Sequence, residues 1–300
     1  MANADFASNG VNDEIIARNF IRGYTSVIAP LAALSTSFSA DAARPGDTIK
    51  VIRDATAIDA VQTKSIGGAY TIQDCDADKV DIELGTPKYV SWSLDDVEVA
   101  RASGISIELF GFRKGNALAK SIMQDILGLV TNTNYGAAAF TGAASTFDED
   151  DVADIAKACD DADIPEENRV LMLSNGYIAA LRKSGAIKDT SGYGYNAIMS
   201  GDVPMLHGFR VIKSNIIPAN SENLVGFACD PAAILAAFRY NAPQSGHKYT
   251  RAEPIVGEGG ITLGLRDWYD ENSGTRRMVM EAIYGKTVGI AAGLKRLVSA

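Results

Sequence analysis

A chain of 300 residues, 47% hydrophobic and 22% charged, has the composition of a soluble globular protein with enough apolar material for two compact regions. Its 37 acidic residues outnumber 28 basic ones, giving a net charge of −9. That balance excludes a nucleic-acid reader that works by neutralising phosphates, though not a protein that lives beside DNA without gripping it. Cys75, Cys159 and Cys229 are odd in number, widely spaced and without a C-x-x-C pair, so the expectation is reduced thiols and neither a disulfide framework nor zinc. With no charged-then-apolar leader, no apolar run of about 18 residues and no N-x-[ST] sequon, folding in a reducing cytoplasm and no membrane contact are expected.

In chain order, residues 1–12 are small and polar and are expected to be loosely held unless a partner orders them. Asn12 or Asp13 can cap an amphipathic helix from Glu14 to Tyr24 that sets Ile15, Ile16, Phe20 and Tyr24 near one face. Ala29 to Ala43 is rich in Ala and Ser and reads as an extended arm over another surface. The turn residues Arg44 to Asp47 lead into an alternating strand, Thr48–Ile52. A second strand, Lys79–Leu84, follows a weakly hydrophobic connection of about 26 residues. Two strands so joined predict a projecting hairpin, whose tip cannot bury itself and serves as a contact device.

From Ile107 the period changes: Ile107, Phe110, Lys114, Leu118, Ile122, Ile126, Leu129 and Val130 recur at three and four and share one stripe of a helix over about Ser106 to Thr131. At ~1.5 Å per residue it would be roughly 39 Å long, a spine longer than a mid-sized domain requires. Gly136 to Ser145 reads as a flexible boundary. Beyond it are expected a helix capped by Thr146 and Glu149 and closed by Pro165, a buried strand Arg169–Leu173, and a helix Tyr177–Lys183. Strands Phe209–Lys213 and Asn223–Phe227 follow, then a helix from Asp230 to about Phe238 with Pro231 at its first position. Ile261–Asp270 and Thr275–Ile283 form a hairpin about Asn272–Gly274, and Thr287–Ala291 is a last strand expected to pack beside the spine.

Partial motifs do not complete themselves. Gly285-Lys286-Thr287 ends like a phosphate-binding loop, but Met280 stands where the first glycine belongs. Asp74, Asp76 and Asp78 are spaced like calcium ligands, yet Lys79 replaces the turn glycine and Gly85 the bidentate carboxylate. His207 and His247 are too few for a triad or a histidine metal site. The run Asp148–Asp151 is explained by the dipole of a helix first turn. Trp92, Trp268, Tyr269 and Tyr284 read as packing anchors. No catalytic, cofactor or metal site is expected, and an enzyme is not predicted.

The order of parts carries more than any motif. A projecting loop with Gly68, Tyr70, Ile72 and Gln73; Val80–Leu84 running through Leu94, Asp95, Asp96 and Val97 to a spine; Val170–Tyr177 as buried strand, Ser/Asn, Tyr, helix; and a hairpin Trp268–Gly285 closed by Glu281 and Tyr284 together resemble the major capsid proteins of tailed bacteriophages, the Johnson fold shared with herpesvirus capsids. That resemblance implies an α+β fold divided into an N-terminal arm (1–47), an E-loop hairpin (48–79), a P-domain with the spine (80–145), a mixed α/β A-domain (146–256) and a returning P-domain sheet (257–300). It further implies a virion subunit, assembled in the bacterial host cytoplasm into hexamers and pentamers of an icosahedral shell. Each E-loop would lie over a neighbour's P-domain, through Lys64, Gly67, Gly68, Tyr70 and Ile72. Scaffolding, portal and decoration proteins are partners of such shells, and packaged double-stranded DNA would line the inner face without sequence-specific binding. No partner Asn or catalytic carboxylate identifies a cross-link for Lys64. Two other readings stand beside this one: an encapsulin-like cellular shell, and a soluble α/β enzyme with an unrecognised site.

Overall fold

A computed structural model of the chain describes residues 19–42, 48–53, 63–70, 78–85, 87–97, 107–184, 203, 205–243, 246, 248–256 and 262–300. Its keystone is one long strand, β12 (Thr275–Val288). Along its first half β12 pairs antiparallel with β11 (Thr262–Asp270) and with β4 (Lys88–Asp95), and along its second half with β9 (Ile234–Tyr240). β10 (Arg251–Val256) extends the sheet beyond β11, and β1 (Ser35–Ala42) pairs parallel with β9.

Alternation along these strands makes two unlike faces. Trp92, Leu263, Leu265, Met278, Met280, Ala282, Tyr284, Ala236 and Phe238 point inward and are buried. They meet helix α1, described over 19–28, and the spine helix α2 (Ile107–Leu127). From α1 come Phe20, Tyr24 and Ile28, from α2 Leu118, Ile122, Met123 and Ile126, all at 2% exposure or less. Such side chains contribute roughly 1.5–3 kcal/mol each. The outer face is covered over its β9 half by a two-stranded hairpin, β2 (Thr48–Arg53) with β3 (Asp78–Glu83), whose Ile49, Val51, Val80 and Ile82 pack on Leu235 and Ala237. Over its β4 half no described element covers the outer face, and Tyr89, Ser91, Ser93 and Arg277 are exposed there.

The second sheet runs β5 (Ala138–Thr141), β13 (Leu294–Val298), β8 (Leu224–Cys229), β6 (Val170–Leu173), β7 (Arg210–Lys213). Val170, Met172, Phe227 and Leu294 face the spine core, while Leu171, Leu173, Ala228 and Leu297 face helices α3 (Glu149–Asp160) and α4 (Asn175–Lys183). All four β6 residues are buried, as a strand sandwiched between two apolar layers demands.

The structure corrects several expectations. The supposed arm belongs to the body from residue 19 onward: Ala29–Ala33 is a 3-10 turn, Leu31 and Leu34 join the core, and Ser35–Ala42 is a sheet strand. The spine is 21 residues, about 32 Å, so Leu129 lies beyond its end, half-buried against the core. At the N-terminal half of the stripe the buried positions are Gly111 and Gly115, and Lys114 is half-exposed. Lys88–Asp95, given no element of its own on the way to the spine, is a strand whose Trp92 is core. Ile234–Phe238 is a strand rather than a helix, because a five-residue apolar run buried on both faces satisfies either period and only the sheet partners decide. The helix before Pro165 is capped by Asp148 with Asp151. β5 lies within the expected flexible boundary, and the last strand is 294–298, after β12 has continued to Val288. The proposed cuts at 145/146 and 256/257 therefore do not follow the sheets: β9 and β10 join the large sheet, and β13 joins the second.

Candidate functional site

Of the residues expected to meet a neighbour, Lys64, Gly67, Gly68 and Tyr70 fall in the described tip of the β2–β3 connection, and Ile72 lies outside the described residues. The tip is a tight turn. The Gly68 amide donates to the Ser65 carbonyl at 3.0 Å, and Gly67 sits at φ +80°, the left-handed value that the third residue of a type II turn requires. The Lys64 ammonium stands 3.9 Å above the Tyr70 ring centroid, a cation–π clip across the turn. Ile66, which the sequence reading passed over, projects from the apex at 108% exposure, and Tyr70 is 81% exposed.

The open half of the large sheet's outer face is the other unspent surface. There Tyr89 is 65% exposed, Ser91, Ser93 and Arg277 are exposed, and the Arg266–Glu281 pair lies partly buried at 2.6 Å beside Tyr249 and Trp268. Burial raises the Glu281 pKa against the opposing pull of Arg266. Tyr89 was also missed. Alternation along Lys88–Asp95 was the available signal, hidden by its two serines.

Behind these surfaces a polar cluster fixes the spine to β12. Tyr284 donates its hydroxyl to Asp125 Oδ2 at 2.7 Å, Lys286 Nζ reaches Asp125 Oδ1 at 3.1 Å and its backbone carbonyl at 2.5 Å, and Lys88 donates to the Ser121 carbonyl at 2.9 Å. Burial raises the Asp125 pKa, but these hydrogen bonds and the charges of Lys286 and Lys88 outweigh it and leave the carboxyl below its ordinary value. At the spine's end the Asn220 amide donates to the carbonyls of Leu127 and Val130, at 3.1 and 2.7 Å. Arg296 ties Glu222, Asn132 Oδ1 and the Gly136 carbonyl together. Of the expected spine-core residues, Leu118, Ile122 and Ile126 are buried, while Ile107 and Phe110 are in the helix with side chains outside the description.

The remaining partial motifs take structural places. Gly285, Lys286 and Thr287 are mid-strand, and Lys286 is committed to Asp125. Asp78 pairs in register with Arg53, and Asp74 and Asp76 lie outside the described residues. Cys159 and Cys229 are buried free thiols whose pKa burial pushes up. Cys75 and His247 are outside the description, and His207 occupies a turn at φ 45°. Among the described residues no helix is long and apolar enough to cross a membrane, and no group of three His, Cys, Asp or Glu is placed to hold a metal.

No protein-family model matches the sequence, and no curated protein matches it. Solved structures do. The capsid structure of the cyanophage P-SCSP1u superposes with a TM-score of 0.64 over 89% of this chain and 86% of that one, at 14% identity. The mature capsid of bacteriophage PhiM1 gives 0.60 over 89% and 86%, at 13% identity. This chain has the tailed-phage capsid fold. A virus-like particle from Pyrococcus furiosus is similar at a TM-score of 0.53 over 95% of this chain and 98% of that one, at 14% identity.

Proposed function

We propose that the chain is a major capsid protein of a tailed phage: a structural subunit without catalytic turnover that assembles into hexamers and pentamers of an icosahedral shell around double-stranded DNA. The observation that carries this reading is the match of nearly nine-tenths of the chain to capsid structures. Two features of the subunit agree with it. Its hairpin tip presents Ile66 and Tyr70 and its large sheet's outer face presents Tyr89, all exposed among the described residues, and its net charge of −9 suits a wall that lines packed DNA without binding its sequence. Scaffolding and portal proteins belong to the same proposal, with assembly in the host cytoplasm and residence in the virion.

The Pyrococcus virus-like particle supports a second reading, a cellular shell of the encapsulin kind. Electron microscopy of the purified protein separates the classes. Closed shells or capsomer rings are expected over a range of concentrations, with nucleic acid inside native particles for the phage and protein cargo for the cellular shell. A homogeneous monomer at every concentration would overturn both shell readings in favour of a soluble enzyme.

A further inference from the structure

Where the turns that precede β1 and β9 meet the ends of β6 and β7, the chain leaves a cavity of about 510 Å³. Its walls are apolar: Ala33, Val170 and Pro231, with Met205 at the mouth and 68% exposed. Both lips are held in place. The buried Arg169 guanidinium bonds Asp160 at 2.6 Å, the Pro165 carbonyl at 2.8 Å and the Ile164 carbonyl, which pins the loop that carries Glu166 and Glu167. The other lip, Leu206–Phe209, is a tight turn closed by hydrogen bonds between its ends, with His207 and Gly208 both left-handed. A recess with fixed lips and an adaptable thioether at its mouth is suited to receiving side chains from outside.

Charge selects what those side chains are. Asp148–Glu167 holds ten carboxylates against Lys157 alone, so this stretch carries −9, the whole net charge of the chain, and all other residues balance. Glu166 and Glu167 stand exposed at its end, on the rim of the cavity, and among the described residues neither has a hydrogen-bond or ion-pair partner. We infer that the cavity docks a basic segment of another protein: an arginine or lysine side chain meets Glu166 and Glu167, and an apolar side chain beside it fills the space between Ala33, Val170, Pro231 and Met205. No stretch of this chain carries a comparable positive excess, which favours a different protein over a second copy. Nucleic acid would be repelled by the same carboxylates. Arg210 also lines the cavity and opposes the incoming cation, so its removal has a predicted sign.

The test titrates full-length protein into two labelled, end-blocked peptides of equal charge, Arg-Leu-Arg-Leu-Arg and Arg-Gly-Arg-Gly-Arg, and reads fluorescence anisotropy. The leucine peptide is expected to bind more tightly. Glu166→Gln with Glu167→Gln should weaken it at least about fivefold, Met205→Gln should narrow the difference between the peptides, and Arg210→Gln should strengthen both. Taking the same two charges from exposed positions on α3, by Asp150→Asn with Asp154→Asn, should change affinity by less than about twofold. Equal losses from the two double variants would reduce the attraction to the general field of the acidic stretch and overturn the cavity as the site. Equal binding of the two peptides, no binding of either, or weaker binding by Arg210→Gln would overturn it as well. Impaired self-assembly of the Glu166→Gln, Glu167→Gln protein in the absence of peptide would give the cavity to a second copy and overturn the assignment to another protein.

Discussion

Asp125 shows how a single side chain can couple the spine to the strand that organises the sheet. Its carboxylate takes the Tyr284 hydroxyl and the Lys286 ammonium at once, and both come from β12. Because the folded-state pKa lies below the ordinary carboxylate value, the ionised form favours the fold: its contribution is complete at pH values above the unfolded pKa and is lost as pH falls through the folded one. Asp125→Asn should therefore unfold at lower denaturant than wild type at pH 7, with the gap narrowing below about pH 4. Equal gaps at pH 7 and pH 3 in parallel denaturation curves would show that charge is not the source. None of this was legible beforehand, since Asp125 and Lys286 are 161 residues apart. At the tip, Lys64, Gly67, Gly68 and Tyr70 were legible from the weakly hydrophobic connection between two strands. Ile66 was not, because one apolar residue in a polar stretch has no period.

Among elements, the crossing of α1 over α2 decides how closely the core closes. A methyl group on Gly115 would fall less than 3 Å from the Phe20 carbonyl, and one on Gly23 less than 3 Å from that of Phe112, so the helices touch backbone to backbone. Gly115→Ala must part them. The expected loss is about 1–3 kcal/mol of subunit stability, despite the better helix propensity of alanine, and equilibrium denaturation measures it. A stabilised variant would mean the crossing is looser than described. Hydrophobic periodicity found the spine through Leu118, Ile122 and Ile126 but could not find this contact, because glycine adds nothing to an apolar stripe. The same limit applied to Ile234–Phe238, where a short apolar run fits a buried strand and a buried helix equally. It applied again to the Ala/Ser-rich segment before Ala43, whose small side chains suit a parallel edge strand against β9 as well as an arm.

For the molecule as a whole, the sequence disclosed the order of parts but not their allocation between sheets, since pairing partners such as Phe140 of β5 with Leu297 of β13 are 157 residues apart and leave no local trace. Removing residues 59–74 tests the division between body and projection. The described tip within that stretch makes no contribution to the buried core, so the deleted subunit should keep its circular dichroism and unfolding midpoint yet form no stable shells. An unfolded product would place the hairpin's connection among the determinants of the fold. β12 and β13 have one further consequence, for the order of events during synthesis. The large sheet cannot join β4 to β9 and β11 until residues 275–288 exist, and the second sheet lacks the strand between β5 and β8 until residues 294–298 follow. At about 5–20 residues per second, a nascent chain would carry unpaired strand edges for tens of seconds before either sheet could close. Slowing the synthesis of residues 241–298 should therefore lengthen the time for which the nascent chain is held by ribosome-bound chaperones, which crosslinking to nascent chains of defined length measures.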